Sequence, residues 1–122
     1  DGTSTWMVGP KTMVDHILPG LGRDDATVVA GVPIALTTDV EAAREKIAKD
    51  LVIYGQLPSY RAMLDREGID GPGDLAIVGD ENTLRGEIKR FQDAGVTHFS
   101  AAIMDVDDGA YDRTLEFLST LT

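Results

Sequence analysis

VGDENTLRGEIKRFQDAGVTHFSAAI, Val78 to Ile103, spells out one α/β unit in full. Gly79-Asp80 offers a helix cap, and Leu84, Ile88 and Phe91 recur on one face of a helix spanning Glu81 to Ala94. Gly95 stands where a left-handed residue closes a helix, and Thr97 to Met104 (THFSAAIM) then reads as a strand. A helix that runs straight into a strand through a short turn is half of a βαβ crossover, so the question for the rest of the chain is whether the pattern repeats.

Upstream it does. Leu75 to Val78 is a short extended piece, preceded by a Gly71-Pro72-Gly73 loop and by a helix over Ser59 to Glu67 (SYRAMLDRE) that Gly68 ends. Thr38 and Glu41 have capping-box spacing, and Val40, Ala43, Ile47, Leu51 and Tyr54 form one apolar helical stripe. Ala26 to Thr37 (ATVVAGVPIALT) is an almost continuous apolar run, bounded by Asp24-Asp25, as expected of a strand buried on both faces of a parallel sheet. Before it, Met13, Ile17 and Leu21 are spaced by four on a helix over Thr12 to Leu21, which Pro19 bends or ends. The β-branched and aromatic run Thr3 to Val8 is a strand that stops at Gly9-Pro10. Downstream, Asp105 to Gly109 is an acidic turn, and Tyr111, Leu115, Leu118 and Leu121 mark a final amphipathic helix. The order β-α-β-α-α-α-β-α predicts right-handed crossovers and a parallel sheet covered by helices.

Composition narrows the function classes. The chain has 122 residues, 43% hydrophobic and 26% charged, which is a soluble globular composition. Its net charge of −10 argues against a phosphate-tracking surface and so against nucleic acid. Without cysteine there is no disulfide framework, thiolate metal site or cysteine nucleophile, and a cytoplasmic location is the default expectation. No window approaches the ~18 apolar residues of a transmembrane helix, and no membrane partner is expected. Asp1-Gly2 reads as a turn feeding directly into a strand, the look of a cut or processed end.

Val78 to Ile103 resembles the segment between the penultimate helix and the last strand of luciferase-like monooxygenases and coenzyme F-420-dependent oxidoreductases. DGTSTWMVGP (Asp1 to Pro10), VVAGVPIALTTDVEAAR (Val28 to Arg44) and YGQLPSYRAMLDREG (Tyr54 to Gly68) resemble the same family in the same order. The resemblance implies that residues 1–122 are the C-terminal portion of a (β/α)8 TIM barrel: its last three βα units, with extra helices before the final strand. A whole barrel takes about 250 residues, so the first five strands would be absent. It further implies a parent oxidoreductase or monooxygenase that acts on a small organic substrate, by hydride transfer with the deazaflavin coenzyme F-420 or, alternatively, by oxygenation with FMN. The general acid or base would then sit in the absent half, leaving this chain alone inactive. The implied partners are the small-molecule substrate and either a second copy of the chain or the missing N-terminal half. A non-catalytic half-barrel used for self-association is the competing function, and an unrelated flavodoxin-like sheet the competing fold.

In a barrel the site lies at the C-terminal ends of the strands, here Trp6 to Lys11, Thr37 to Asp39 and Ile103 to Asp108. Trp6 and Met7 could wall a cofactor ring, although strand alternation turns only one of them toward the axis. Gly9, next to Val8 as a further cofactor-binding candidate, lets backbone approach a ligand, and a helix N-terminus after Pro10 could receive a phosphate or carboxylate, with Lys11 adding charge; a simple turn and helix start is the plainer account of the same residues. Tyr54, Tyr60 and Arg61 lie in the long excursion that lines the substrate side in the resembling family, while Arg61 with Asp65 also has i,i+4 ion-pair spacing. His16 and His98 have no partner at metal spacing, and no metal site is expected. Asp105, Asp107 and Glu116 match a calcium loop at three positions, but Gly109 and Ala110 break the template.

Overall fold

The computed structural model describes residues 2–22 and 26–121; Asp1 of the opening turn and the Asp24-Asp25 boundary lie outside the described residues. The strands are β1 (Gly2–Trp6), β2 (Thr27–Leu36), β3 (Ile77–Gly79) and β4 (His98–Ile103). A helical run joins β1 to β2, made of α1 (Pro10–Thr12), a π-helical turn (Met13–Ile17) and α2 (Leu18–Leu21). Between β2 and β3 come α3 (Val40–Asp50), α4 (Val52–Gln56), α5 (Pro58–Glu67) and α6 (Pro72–Leu75). Helix α7 (Glu81–Asp93) leads into β4, and α8 (Ala110–Ser119) follows it.

All pairings are parallel, and β2 is the central strand. One of its edges carries β4, with Val29 opposite His98 through Ile34 opposite Ile103. The other edge carries β1 along Thr27 to Gly31 and then β3 along Ile34 to Leu36. Pro33 explains how a central strand tolerates proline. Met7 N donates to Gly31 O and Thr37 N to Gly79 O, so odd-numbered residues of β2 bond toward the β1/β3 edge. Pro33 falls on that edge in the gap after β1 leaves and before β3 joins, where its missing N–H costs no ladder bond.

Alternation sorts the two faces. Val28, Ala30, Val32, Ile34 and Leu36 join Phe91, Leu84, Ile77 and Phe117 in the main core under the helices. Phe91 meets Phe99 edge to face at 5.7 Å. The opposite face carries Ser4 and Trp6 of β1, Gly31 of β2 and Ser100 of β4, since in-register parallel neighbours point the same way. Its far end is covered by α3, whose buried Ala43 and Ile47 pack with Ala76 and Val78.

The helix boundaries show where local chemistry decided. Asp80 caps α7 by accepting from Thr83 N at 2.8 Å, and Gly95 (φ 104°) closes it as the sequence predicts. The cap of α3 is Asp39, accepting from Ala42 N at 3.2 Å, rather than Thr38. That helix also stops at Asp50, and Tyr54 belongs to the separate α4. Gly71-Pro72-Gly73, expected as loop, begins the short α6, with Pro72 at a first-turn position that needs no N–H. Pro19 neither ends nor breaks its helix: the preceding π-turn, in which Leu18 N reaches Met13 O, widens the spiral just where a proline ring crowds the turn before it.

The last helix turns a different side inward from the one expected. Ala110, Thr114 and Phe117 are its buried residues, whereas Tyr111, Leu115 and Leu121 stay 49%, 47% and 43% exposed. Hydrogen bonds set this rotation. Thr114 Oγ1 accepts from Leu36 N at 2.9 Å and Arg113 Nε donates to Leu36 O at 2.9 Å, fixing the start of α8 to the end of β2.

Candidate functional site at the strand ends

At the end of β1 the chain makes an abrupt change of direction. Met7 has φ 60°, the one non-glycine positive φ among the described residues, and its N–H donates to Gly31 O at 2.8 Å. A left-handed residue of this kind is costly and persists where the surroundings enforce it. It also settles which of the two large side chains faces where. Met7 is fully buried in the helix-side core, with Val8 beside it at 7% exposure, so both are packing residues. Trp6 lies on the opposite face across Gly31, where an added β-carbon would come within 3.2 Å of the indole Cε3. Glycine there makes room for the ring.

Trp6 does not stand alone. Tyr54 meets it edge to face at 6.1 Å and 69°, and Tyr60 meets Tyr54 at 5.0 Å and 83°. Three of the expected site residues, placed in β1, α4 and α5, thus form one aromatic corner at the strand end. The Trp6 indole nitrogen is buried and has no hydrogen-bond partner among the described residues.

The expected anion position beside Gly9, Pro10 and Lys11 is filled by the protein itself. Glu67 of α5 accepts from Thr12 N at 2.8 Å and from Lys11 N at 3.2 Å. A β-carbon on Gly9 would stand 2.3 Å from that carboxylate carbon, so Gly9 admits Glu67 rather than a ligand. The Lys11 ammonium is engaged with Asp15 and with Arg66 O, both at 3.1 Å. Arg61 is likewise occupied, donating to Asp65 Oδ1, to Asp70 O at 2.6 Å and to Ile69 O at 3.1 Å. It ties α5 to the loop after it and does not join the aromatic corner.

A second constellation lies at the ends of β2 and β4. Thr37 donates to Asp107 Oδ2 at 2.9 Å, and Arg113 pairs with Asp107 Oδ1 at 2.8 Å. With Leu36, Thr38, Asp80 and Glu81 these residues line a depression of about 330 Å³. Thr37 and Asp107 fall within the strand-end windows marked from the sequence; Arg113, seated inside a helix, carried no signal beyond its charge. The Arg113 hydrogen bond, and then that of Thr37, hold the Asp107 carboxyl below its ordinary value of 3.8. Asp80 is lowered mainly by the Thr83 backbone N–H. Asp107 is thus the shared acceptor of this network.

The sign of the Asp107 effect follows from linkage. A carboxylate depressed in the folded state adds stability above its unfolded value, and that contribution disappears as pH falls through the folded value. Asp107→Asn is therefore expected to be less stable than the parent at pH 6 and to converge on it below about pH 4. Denaturant unfolding midpoints across this range check the expectation.

The histidines are elsewhere. His98 opens β4, at the opposite end of the sheet from the strand C-termini, with Nδ1 2.9 Å from Thr97 Oγ1. His16 is exposed in the π-turn. Among the described residues no group of acidic or histidine side chains is arranged to hold a metal, and no helix is long and apolar enough to cross a membrane.

No family model matches the chain, and no curated protein matches it. Among solved structures it is similar to an F-420-dependent secondary alcohol dehydrogenase in complex with an F-420–acetone adduct, with 18% sequence identity and a TM-score of 0.58. The likeness covers 100% of this chain and 43% of that one, so the chain spans less than half the length of that enzyme. At this identity the agreement concerns the fold alone, a mixed α/β arrangement.

Proposed function

We propose that this chain forms the last three βα units of a luciferase-like (β/α)8 barrel whose parent protein is a coenzyme F-420-dependent oxidoreductase acting on a small organic substrate. The observation that carries the reading is the aromatic corner of Trp6, Tyr54 and Tyr60 at the C-terminal end of β1, the end at which such barrels place their sites. The sheet order supports it too, because β1, β2 and β4 are consecutive barrel strands laid side by side. The overlap with an F-420-dependent enzyme favours the deazaflavin over FMN.

A planar ring suits the residue types present: the corner gathers aromatic side chains at steep angles to one another. When bound, the deazaflavin supplies the hydride chemistry. Trp6, Tyr54 and Tyr60 wall its ring and exclude water. Met7 and Val8 support that wall from behind, Gly9 and Lys11 fasten α5 through Glu67 and Arg66, and Arg61 orders the segment that carries Tyr60. An anionic tail finds no open basic site at Gly9 to Lys11, since Glu67 is already there.

Equilibrium dialysis of the chain against F-420 and against FMN tests the assignment. Saturable retention of F-420 that exceeds that of FMN is the expected outcome, and retention of neither by folded protein contradicts it.

One feature favours a self-association role beside the enzymatic one. Among the described residues β1 and β4 each pair only with β2, which leaves both outer edges of the sheet open. Native mass spectrometry separates the cases: dimers without any F-420 binding favour a half-barrel that associates, whereas F-420 binding supports the site.

A further inference from the structure

We infer that the groove between α7 and the start of β4 is a further binding site, for a small molecule with an apolar body and one carboxylate. It lies at the N-terminal end of the sheet, away from the strand C-termini, and stands apart from the cofactor reading. A cavity of about 330 Å³ is floored there by Ile88, Phe91, Val96, Phe99 and Leu121, contributed by α7, the turn into β4, β4 itself and the turn after α8. That volume falls at the lower end of small-molecule pockets, roughly 300–1,000 Å³, and suits a single ring or a short branched chain.

Charge selects the ligand. The chain carries 21 acidic and 11 basic side chains, yet this cavity is lined by Arg85, Lys89 and His98 and by no carboxylate. The depression at the ends of β2 and β4, of the same size, is lined instead by Asp80, Glu81 and Asp107 with Arg113. Of the two, only the α7 groove offers an anion more cations than carboxylates.

Arg85 is the group placed to bind it. Its guanidinium carbon lies over the Phe117 ring, 5.1 Å from the centroid, which holds the head group beside the cavity. Its carboxylate neighbour Glu81 stands at 3.9 Å, too far for a hydrogen bond, and the Arg85 N–H donors have no hydrogen-bond partner among the described residues. Lys89, by contrast, is committed to both oxygens of Asp93 at 3.0 Å. Thr97 Oγ1 gives its proton to Val28 O, so it accepts from His98 Nδ1–H at 2.9 Å. The other nitrogen of a neutral His98 is then an acceptor, and the carboxylate belongs on the Arg85 fork. A bare phosphate would leave the apolar floor unused, and a hydrocarbon would leave Arg85 unpaired.

Benzoate is the probe, with benzamide as its neutral isostere and acetate as the anion without the ring. In ¹H–¹⁵N correlation spectra of the chain, benzoate is expected to shift, with saturation, the backbone signals of Arg85 to Gln92 and of Thr97 to Phe99. Benzamide and acetate should each bind about tenfold more weakly, benzamide for want of the charge-assisted hydrogen bond and acetate for want of the buried ring. Arg85→Gln should bring benzoate down to the benzamide level without moving benzamide, and Arg85→Lys should restore part of the difference. Equal binding of benzoate and benzamide, shifts confined to other residues, no saturable binding, or undiminished benzoate affinity in folded Arg85→Gln overturns the assignment. Shifts of the same signals on dilution, without ligand, would give the groove to a second copy of the chain and likewise overturn it.

Discussion

Phe91→Ala should lower the stability of the fold by about 3–5 kcal/mol, the usual cost of emptying a buried phenylalanine site. Phe91 is 2% exposed, sits on α7 and meets Phe99 of β4 edge to face, so it joins the helix layer to the sheet at one point. Its neighbours belong to the main core of β2 and α7, which cannot close around the cavity without moving the sheet. A domain of this size has roughly 5–15 kcal/mol in total, and the melting temperature should drop by roughly 10–20 °C. Thermal unfolding followed by circular dichroism measures it. A drop of only a degree or two would mean that α7 does not pack on β4 as described.

Glu67→Ala ranks second and tests the strand end itself. The carboxylate satisfies the N–H groups of Lys11 and Thr12, the first helical turn after β1, from a position 55 and 56 residues away in sequence. Thr12 is only 1% exposed, so its freed N–H has no easy access to water. Leaving such a donor unpaired costs about 1–3 kcal/mol. Glu67→Gln keeps one acceptor oxygen and should recover part of the loss. Urea unfolding of both variants checks this order; an alanine variant as stable as the parent would remove Glu67 from its place on α1.

Much of this architecture could be read along the chain. Where the signal was local and periodic, as in the Asp80 cap, the Leu84 and Phe91 stripe and the apolar run of β2, the predicted elements and the structure coincide. Long-range chemistry was harder to see. Nothing near Gly9-Pro10-Lys11 announces that the anion at that turn is Glu67, and a helix start next to a lysine looks alike whether its acceptor is a ligand or a distant side chain. The face of α8 was set by Thr114 and Arg113 bonding to Leu36, against the stripe of larger apolar residues. Alternation left Trp6 and Met7 equivalent; a left-handed Met7, which no propensity rule foresees, separated them. Of the eight residues picked for the site, Trp6, Tyr54 and Tyr60 converge, and the other five pack behind that wall or tie down the segments around it.

A deazaflavin ring against the end of β1, as proposed, would have a direct optical consequence, because Trp6 is the chain's single tryptophan. Deazaflavins absorb where tryptophan emits, so F-420 titrated into the chain should quench Trp6 fluorescence almost completely, with sensitised deazaflavin emission and a midpoint equal to that from dialysis. F-420 that binds by dialysis yet leaves Trp6 emission unchanged would place the cofactor away from this corner and contradict the account.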